Sequence, residues 1–506
     1  MSHRCPLLAA TTVLGATVPM QKTLFIGVAL ALVCGMLRFG SSAEPAAEPI
    51  DIGSRRELFV DGLLIEKLDG LRLKLHEPRP AGVAVKYDGP ADERFCFYTT
   101  VLKDGDTYRM YYRGHPGSDW TKSVTCYAES RDGKTWTKPN LGLVEVNGTR
   151  DNNAILPTGE AFGPFLDDRP GIPPDERFKA NMNAPGGLMG YVSGDGVHWR
   201  PVKKELLLRS SLPNHFDSQN VMFWSAAEQC YLLYARHMVG GRRATARAAS
   251  PDFLKWSDFT LMTYSDTHST TPSQHLYTNQ THPYFRAPHI YIALPGRFQG
   301  GRRALSDEQA KAVDAHSGGG GANDIADGVF LTSRAGSTAY DFTFLESFVR
   351  PGIGYGNWTS RNNYPACGVV PTGPHEMSLY VQRNYGQKTA YLERMTLRID
   401  GFVSIHAAYG GGELVTKPLA FAGQLLEINY STSAAGSVRV EIQDASGRPL
   451  PGFSLADCPE IIGDEIERAV QWKRGADVSS LARKPVRLRF VLKDADLFAI
   501  QFRERP

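Results

Sequence analysis

The stretch SRDGKTW at residues 130–136 returns as SGDGVHW at 193–199 and, degenerate, as SPDFLKW at 250–256. A fourth relative, SRAGSTAYDF, occupies 333–342. Each copy follows an alternating apolar run (VTCYAE, GLMGYV, ATARAA, GVFLT), the signature of a half-buried strand. The copies recur about every 60 residues, with a longer gap around the fourth. A period of that length with several strands per unit predicts the blades of a β-propeller and not a solenoid.

The units fill out alike. The first reads FYTTVLKDGD, TYRMYYRG, SVTCYAESRDG; the third reads SQNVMFWSAAEQ, CYLLYAR, RATARAASPD. Asp-Gly pairs at 104–105, 132–133 and 195–196 are turn chemistry that lets the chain reverse between strands. Five such units fit between about residue 85 and residue 410. ELFVDGLLIE (57–66) is expected to pack against the ring or close it. After GGG (410–412) the blade pattern stops, and LLEINYST, GSVRVEIQDASG and VRLRFVLKDA alternate with period two. The expected fold is all-β: a five-bladed propeller over 44–410, then a β-sandwich over 411–506. Helix is expected only at LSDEQAKAVD (305–314), where Ser306 and Gln309 have capping-box spacing.

Met20-Gln-Lys, the apolar TLFIGVALALVCGML (23–37) and RFGSSA before Glu44 read as an export signal cut after Ala43, so residues 1–43 are taken as leader and extension. A single membrane anchor or a lipoprotein Cys34 are the alternatives. The expected location is secreted or periplasmic. Past the leader stand Cys96, Cys126, Cys230, Cys367 and Cys458, an odd number with wide spacing and no CxxC pair. That argues for buried core thiols, and against a disulfide framework or a zinc site. With 56 basic and 53 acidic residues, the net charge of +3 gives no reason to expect nucleic acid or an anionic membrane as partner. No cofactor is implied, a structural calcium being the one ion left open. Oligomeric state is not readable.

Three polar clusters, NHFDSQN (214–220), NQTHPYF (279–285) and SRNNYPA (360–366), each precede an innermost strand. In a propeller the heads of the innermost strands share one rim with the loops between second and third strands. The SxDGxxW turns lie on the other rim and are expected to be structural. The first rim is therefore the expected small-molecule site. It draws in His115, Asp119 and Trp120, then Arg236, His237, Arg242 and Arg243, then Arg297, Asp324 and Asp327, and Arg383 and Tyr385. The insertion 298–327, with its run SGGGGAND, reads as a flap over this mouth, a plain loop being the alternative.

Repeated SxDGxxW-type turns in a five-unit ring followed by a sandwich resemble the five-bladed propeller glycosidases, the arabinanase, levansucrase and invertase superfamily, over about residues 50–506. In that family, carboxylates on inner strands of successive blades serve as base or nucleophile, stabiliser and acid. The resemblance implies Asp217 for the ionised role, with Glu93 first and Asp327 second as proton donor. It departs from the family at Ala91-Asp92-Glu93-Arg94 and at Thr281-His282-Pro283, which has no Glu. His115, Trp120, His282, Arg286, Arg361, Asn362 and Asn363 are the expected sugar-binding residues. Arg361, Arg286 and Arg394 suit a carboxylate or sulfate on the sugar, or else pair with acids of the chain. Three functions follow: a glycoside hydrolase or transglycosidase, a non-catalytic carbohydrate-binding or surface-assembly protein, and a phosphorolytic or lyase-type activity.

Overall fold

The computed structural model describes residues 48–117, 122–210, 215–315 and 318–505, and Glu48–Pro506 forms one compact unit. The expected leader, Asp119 and Trp120 lie outside the described residues. The described chain is nearly all β, with one short α-helix, Asp307–Ala312. That helix starts where the sequence placed it: the Ser306 side chain accepts from Gln309 N, and the Gln309 side chain accepts from Ser306 N.

Five sheets that match the repeat follow one another along the chain, with two smaller ones between the third and the fifth: Thr263–Tyr264 with Ala339–Tyr340, and His275–Leu276 with Gly296–Gln299 and Ile325–Gly328. The first holds Phe97–Asp104, Thr107–Gly114, Val124–Ser130 and Ala154–Leu156; the second is built on Gly163–Leu166, Phe178–Ala184 and Gly187–Ser193. The third holds Val221–Ser225, Cys230–Val239, Arg242–Ser250 and Thr260–Leu261; the fourth holds His282–Tyr284, Ala287–Ala293 and Leu331–Arg334. The fifth holds Val370–Pro371, Glu376–Arg383 and Tyr391–Arg398, and takes its outer strand, Arg79–Lys86, from ahead of the first sheet. The segment expected to pack against the ring or close it, 57–66, packs against the sheets and also pairs elsewhere. Arg56–Leu58 pairs with Ala499, Ile500 and Gln501 near the C-terminus, while Leu58 and Val60 pack in one core with Ile290, Ile292 and Leu379.

Side chains knit the heads of the innermost strands together. Gln219 Nε2 donates to Tyr98 O (3.1 Å), Thr100 Oγ1 (2.9 Å) and Phe162 O (3.1 Å). Its Oε1 accepts from Gln280 Nε2 at 2.9 Å, and that nitrogen also reaches Pro365 O at 3.4 Å. Two glutamines thus connect segments of all five sheets. The first and fifth sheets also bond directly, Val101 N to Cys367 O at 2.8 Å and Cys367 N to Thr99 O at 2.9 Å.

On the other rim the repeated turns behave as scaffold. Ser130 Oγ accepts from Gly133 N at 2.9 Å and Ser193 Oγ from Gly196 N at 2.9 Å. Gly133 and Gly196 sit at φ +68° and +76°, where a side chain would be strained; an added Cβ would also meet Thr372 and Tyr111 within 2.8 Å. The motif tryptophans pack edge-on against a neighbouring sheet, Trp136 on Tyr380 of the fifth at 5.6 Å and Trp199 on Tyr111 of the first at 6.1 Å.

A ten-stranded sheet takes up both ends of the chain. Ile50–Gly53, Arg56–Leu58, Ile65–Asp69 and Leu71–Leu75 join Val403–Ala407, Gly412–Thr416, Leu419–Phe421, Leu425–Asp444, Asp464–Ala469 and Val486–Arg503. Most of Val486–Arg503 alternates buried and half-buried, as the period-two reading requires. Cys96, Cys126, Cys367 and Cys458 are buried thiols and Cys230 is half-buried.

Candidate functional site

The innermost segments share a backbone feature. Each sheet has a non-glycine residue with positive φ at or just ahead of its innermost segment: Tyr98 (+52°), Ala161 (+55°), Phe216 (+63°), Gln280 (+52°), and both Arg361 (+59°) and Asn363 (+65°). This conformation is unfavourable for L-residues with a Cβ, and each instance costs about 1–3 kcal/mol unless its surroundings fix it. Here they do. Phe216 O accepts from Asn183 Nδ2 at 2.6 Å, from Asn220 Nδ2 at 3.0 Å and from Ser218 N at 2.6 Å. Ser218 Oγ anchors the far side of the turn on Tyr277 O at 2.9 Å.

That turn presents Asp217. Its side chain is 63% exposed, and Oδ2 accepts from Arg236 Nη2 at 2.6 Å, while the Arg236 side chain is only 4% exposed. Among the described residues the Asp217 carboxylate caps no backbone N–H. It is an acid at a rim, held by one arginine from the second strand of its own sheet.

An aromatic floor lies beside it. Phe95, Phe97, Tyr277, Tyr364 and Tyr385 form one buried cluster, with Tyr98 and Phe298 against it. Ring centroids are 5.5 Å apart for Tyr277 and Tyr364, and 4.9 Å for Phe97 and Tyr385. Arginines stack on these faces. Arg236, Arg243 and Arg361 lie 5.1, 5.0 and 5.7 Å from the Tyr277 centroid, and Arg113 lies 5.0 Å from that of Tyr98. Such stacking contributes about 0.5–2 kcal/mol per pair, more as water is excluded. Burial, then the nearby Tyr277, raises the Tyr98 pKa well above the ordinary phenol value.

The other expected residues fall into three groups. Glu93 is half-exposed at the rim, 3.7 Å from Arg94, and its charge is felt by His115. His115 is buried, with Nδ1 2.8 Å from Gly117 O and its ring on Phe95 at 5.4 Å; burial lowers its pKa. Asp327 is gripped by Arg297, Nε to Oδ1 at 2.8 Å and Nη2 to Oδ2 at 2.5 Å, across the paired strands Gly296–Gln299 and Ile325–Gly328. Both residues line an open cleft of about 820 Å³ shared with Gln299, Arg350 and Trp358.

Asn362 and Asn363 are buried and spent on loop backbone. Asn362 accepts from Tyr385 N at 2.7 Å, and Asn363 donates to Ala326 O at 2.8 Å and Asn357 O at 2.9 Å. His282 is spent likewise: Nδ1 lies 2.8 Å from Gln280 O, and Nε2 accepts from Val369 N at 3.1 Å. Burial lowers its pKa to about 4, which fits a neutral ring joining the fourth and fifth sheets. With both nitrogens engaged, His282 has no atom left for a sugar hydroxyl.

Arg286 is placed elsewhere than expected. It sits in the turn between His282–Tyr284 and Ala287–Ala293, pairing with Asp400 at 3.3 Å and with Glu467. Arg394 pairs with Glu376 at 3.0 Å. Asp92 is buried and held by Lys138 Nζ at 2.7 Å and Tyr112 Oη at 3.0 Å, a core network. Of the floor tyrosines the sequence nominates Tyr385 but not Tyr98, Tyr277 or Tyr364. A usable signal exists: Tyr364 lies inside the cluster SRNNYPA and Tyr277 stands two residues ahead of NQTHPYF.

The insertion reaches toward this rim. Arg94 pairs with Asp314 at 3.2 Å, and Ser360 N donates to Gly321 O at 2.8 Å, so the insertion touches the heads of the first and fifth sheets.

No protein-family model matches the chain. Two uncharacterized proteins of Mycobacterium tuberculosis match short stretches, one 29% identical over 154 residues (28% of this chain, 48% of the relative), the other 37% identical over 73 residues (13% and 24%). The match thus spans about half the length of the first relative and a quarter of the second. Among solved structures, a glycoside hydrolase is 11% identical with a TM-score of 0.42, covering 64% of this chain and 92% of its own. A fructofuranosidase from Schwanniomyces occidentalis is 8% identical with a TM-score of 0.39, covering 84% and 97%. A β-fructofuranosidase of Bombyx mori is 9% identical with a TM-score of 0.39, covering 86% and 95%. These neighbours are glycoside hydrolases.

Proposed function

We propose that this chain is an exported glycosidase-like protein that takes an oligosaccharide at the rim where the heads of the innermost strands meet. In this reading the five sheets close into a five-bladed ring, and the ten-stranded sheet folds into a sandwich beside it. The observation that carries it is the positive-φ residue at the head of every innermost segment. Strained backbone held at one topological place in every sheet is a device for aiming side chains, and it collects at functional sites. Asp217 stands next to one of these residues, over an aromatic floor suited to sugar rings.

Glycoside hydrolysis needs two carboxyl groups about the scissile bond. Asp217 fits the base, nucleophile or cation-stabilising role, since its carboxylate is largely exposed at the rim and paired with Arg236. Glu93, beside His115, is the proposed proton donor. Reducing-sugar release from a panel of plant and algal polysaccharides tests this. Asp217→Asn should lose at least about a hundredfold in turnover, the scale of a lost acid–base group, and Glu93→Gln should lose a comparable amount. Undiminished turnover in folded Asp217→Asn protein would remove that residue from the chemistry.

A specific observation favours a second reading. Asp217 and Asp327 are each paired with an arginine, as in a site that binds without reacting. Saccharide binding with no turnover on the whole panel would select a non-catalytic carbohydrate-binding protein. Export is tested separately, by N-terminal sequencing of secreted protein. A start near Glu44 is expected, and a start at Met1 or Met20 would refute it.

A further inference from the structure

The rim holds more positive charge than its acids balance. Two of the arginines first considered for an anion, Arg286 and Arg394, are taken by Asp400, Glu467 and Glu376. Arg361 is not, and Arg236 and Arg243 join it around the Tyr277 ring, all three within 5.7 Å of its centroid. Asp217 binds Arg236 alone and lies within electrostatic range of Arg243. Arg113 adds a fourth positive charge beyond Tyr98, where Glu160 lies within electrostatic range. Of the rim's other acids, Glu93 and Asp327 have Arg94 and Arg297 as neighbours, and Asp324 accepts from Gly301 N at 2.8 Å.

The guanidinium groups are also under-bonded. Arg236 is 4% exposed, yet its Nε and Nη1 have no hydrogen-bond partner among the described residues. The Nε atoms of Arg243 and Arg361 and the Tyr364 hydroxyl are in the same position. A buried donor without a partner is destabilising, more so when charged, and proteins rarely retain several together without a reason. Like charges compound the penalty: burial, then the Arg236 charge, lowers the Arg243 pKa. A neutral sugar could supply hydroxyl acceptors but would leave the charge excess in place. An oxyanion would answer both, because guanidinium forks match carboxylate and sulfate geometry.

We propose that this rim recognises an oxyanion carried by the saccharide, a uronate carboxylate or a sulfate ester, with Arg243 and Arg361 as its binding arginines and Arg236 shared between that anion and Asp217. This rests on the reading of the rim as a saccharide site. Calorimetric titration of the whole chain with three probes tests it: a galacturonic acid trisaccharide, a sulfated galactose oligosaccharide, and a neutral galactose trisaccharide. At least one acidic probe should bind about tenfold or more tighter than the neutral one, and which one does so tells carboxylate from sulfate. The preference should weaken with added salt, as charge recognition at an open rim does. Arg243→Gln and Arg361→Gln should each shrink the ratio of acidic to neutral affinity, both probes being measured on the same variant. Should either variant fail to fold, inorganic sulfate must compete with the acidic probe on the unaltered protein, and its failure to do so overturns the inference. Equal affinity for neutral and acidic probes overturns the anion inference and leaves the saccharide reading standing. No binding and no turnover with any saccharide overturns both.

Discussion

The two rims of the five sheets use the same residue for opposite ends. On the turn side, Asp132 accepts from Lys134 N and Thr135 N at 2.7 and 2.8 Å, Asp195 from Val197 N and His198 N at 2.9 and 2.8 Å, and Asp252 from Leu254 N and Lys255 N at 2.9 and 2.8 Å. These are three copies of one turn. Backbone N–H bonds, that of Thr135 foremost, hold the Asp132 pKa down at about 2. On the other rim Asp217 caps nothing among the described residues and faces outward with a single arginine. An acid that recurs with the repeat serves the fold. An acid that breaks the repeat, where the backbone is strained to display it, is free for chemistry.

The sharpest way to break that contrast is to change one acid on each rim. Asp217→Asn is expected to lose at least about a hundredfold in turnover. Its urea midpoint should stay close to the parent's, since an amide oxygen in that place can still accept from the buried Arg236 and the net loss is about 1 kcal/mol. Asp195→Ala should do the reverse, keeping turnover while losing about 1–3 kcal/mol as two N–H donors go unbonded. Equal activity losses in both variants would dissolve the distinction between the rims.

Between the rims, Gln219 is the test of how the sheets are joined. Gln219→Leu leaves Tyr98 O, Thr100 Oγ1 and Phe162 O without their common donor, and a stability loss of about 2–4 kcal/mol is expected from urea unfolding. A loss below about 0.5 kcal/mol would mean that the glutamine fills space and joins nothing.

Acid should loosen the molecule before it titrates most carboxylates. Burial lowers the pKa of His76, His215 and His282 from 6.5 to about 4 in each case. A histidine kept neutral in the fold binds fewer protons than in the unfolded chain between those values, so stability rises with pH across that window. Their contribution is complete above about pH 6.5 and is lost as pH falls toward 4. Urea midpoints measured from pH 7 to pH 4 should fall, and His282→Gln should flatten the slope. An unchanged slope would mean that His282 is not neutral in the fold. The smallest effect is expected at the insertion. Arg94→Ala removes the Asp314 pair and should raise hydrogen exchange over 307–312 several-fold with global stability within about 0.5 kcal/mol. Unaltered exchange there would show that the pair does not hold the insertion to the rim.

Much of this architecture could be read from local pattern. The strands of the five units, their Asp-Gly turns and the capping box at Ser306 stand where the sequence places them, because period-two alternation, positive-φ glycines and side-chain caps act within a few residues. The same logic located the three polar clusters at the starts of the first strands of the third, fourth and fifth sheets. It did not show which acid would be gripped. Asp327 and Asp217 look alike in the chain, yet Arg297 takes one carboxylate with two nitrogens and Arg236 takes the other with one.

By itself, then, the sequence determined the β character, the five-fold repeat, the turn chemistry of one rim and the polar character of the other. Only the tertiary structure decided that Arg79–Lys86 completes the fifth sheet and that residues 50–75 pair with strands some 330 to 445 residues later. Edge pairing depends on exposed backbone N–H and C=O groups, which every strand offers alike, so no residue type announces its partner. The tertiary structure likewise gathered Arg236, Arg243 and Arg361 around Tyr277 and turned His282 into a joint between two sheets. Those outcomes are set by distances across the rim, and such distances exist only once the strands have packed.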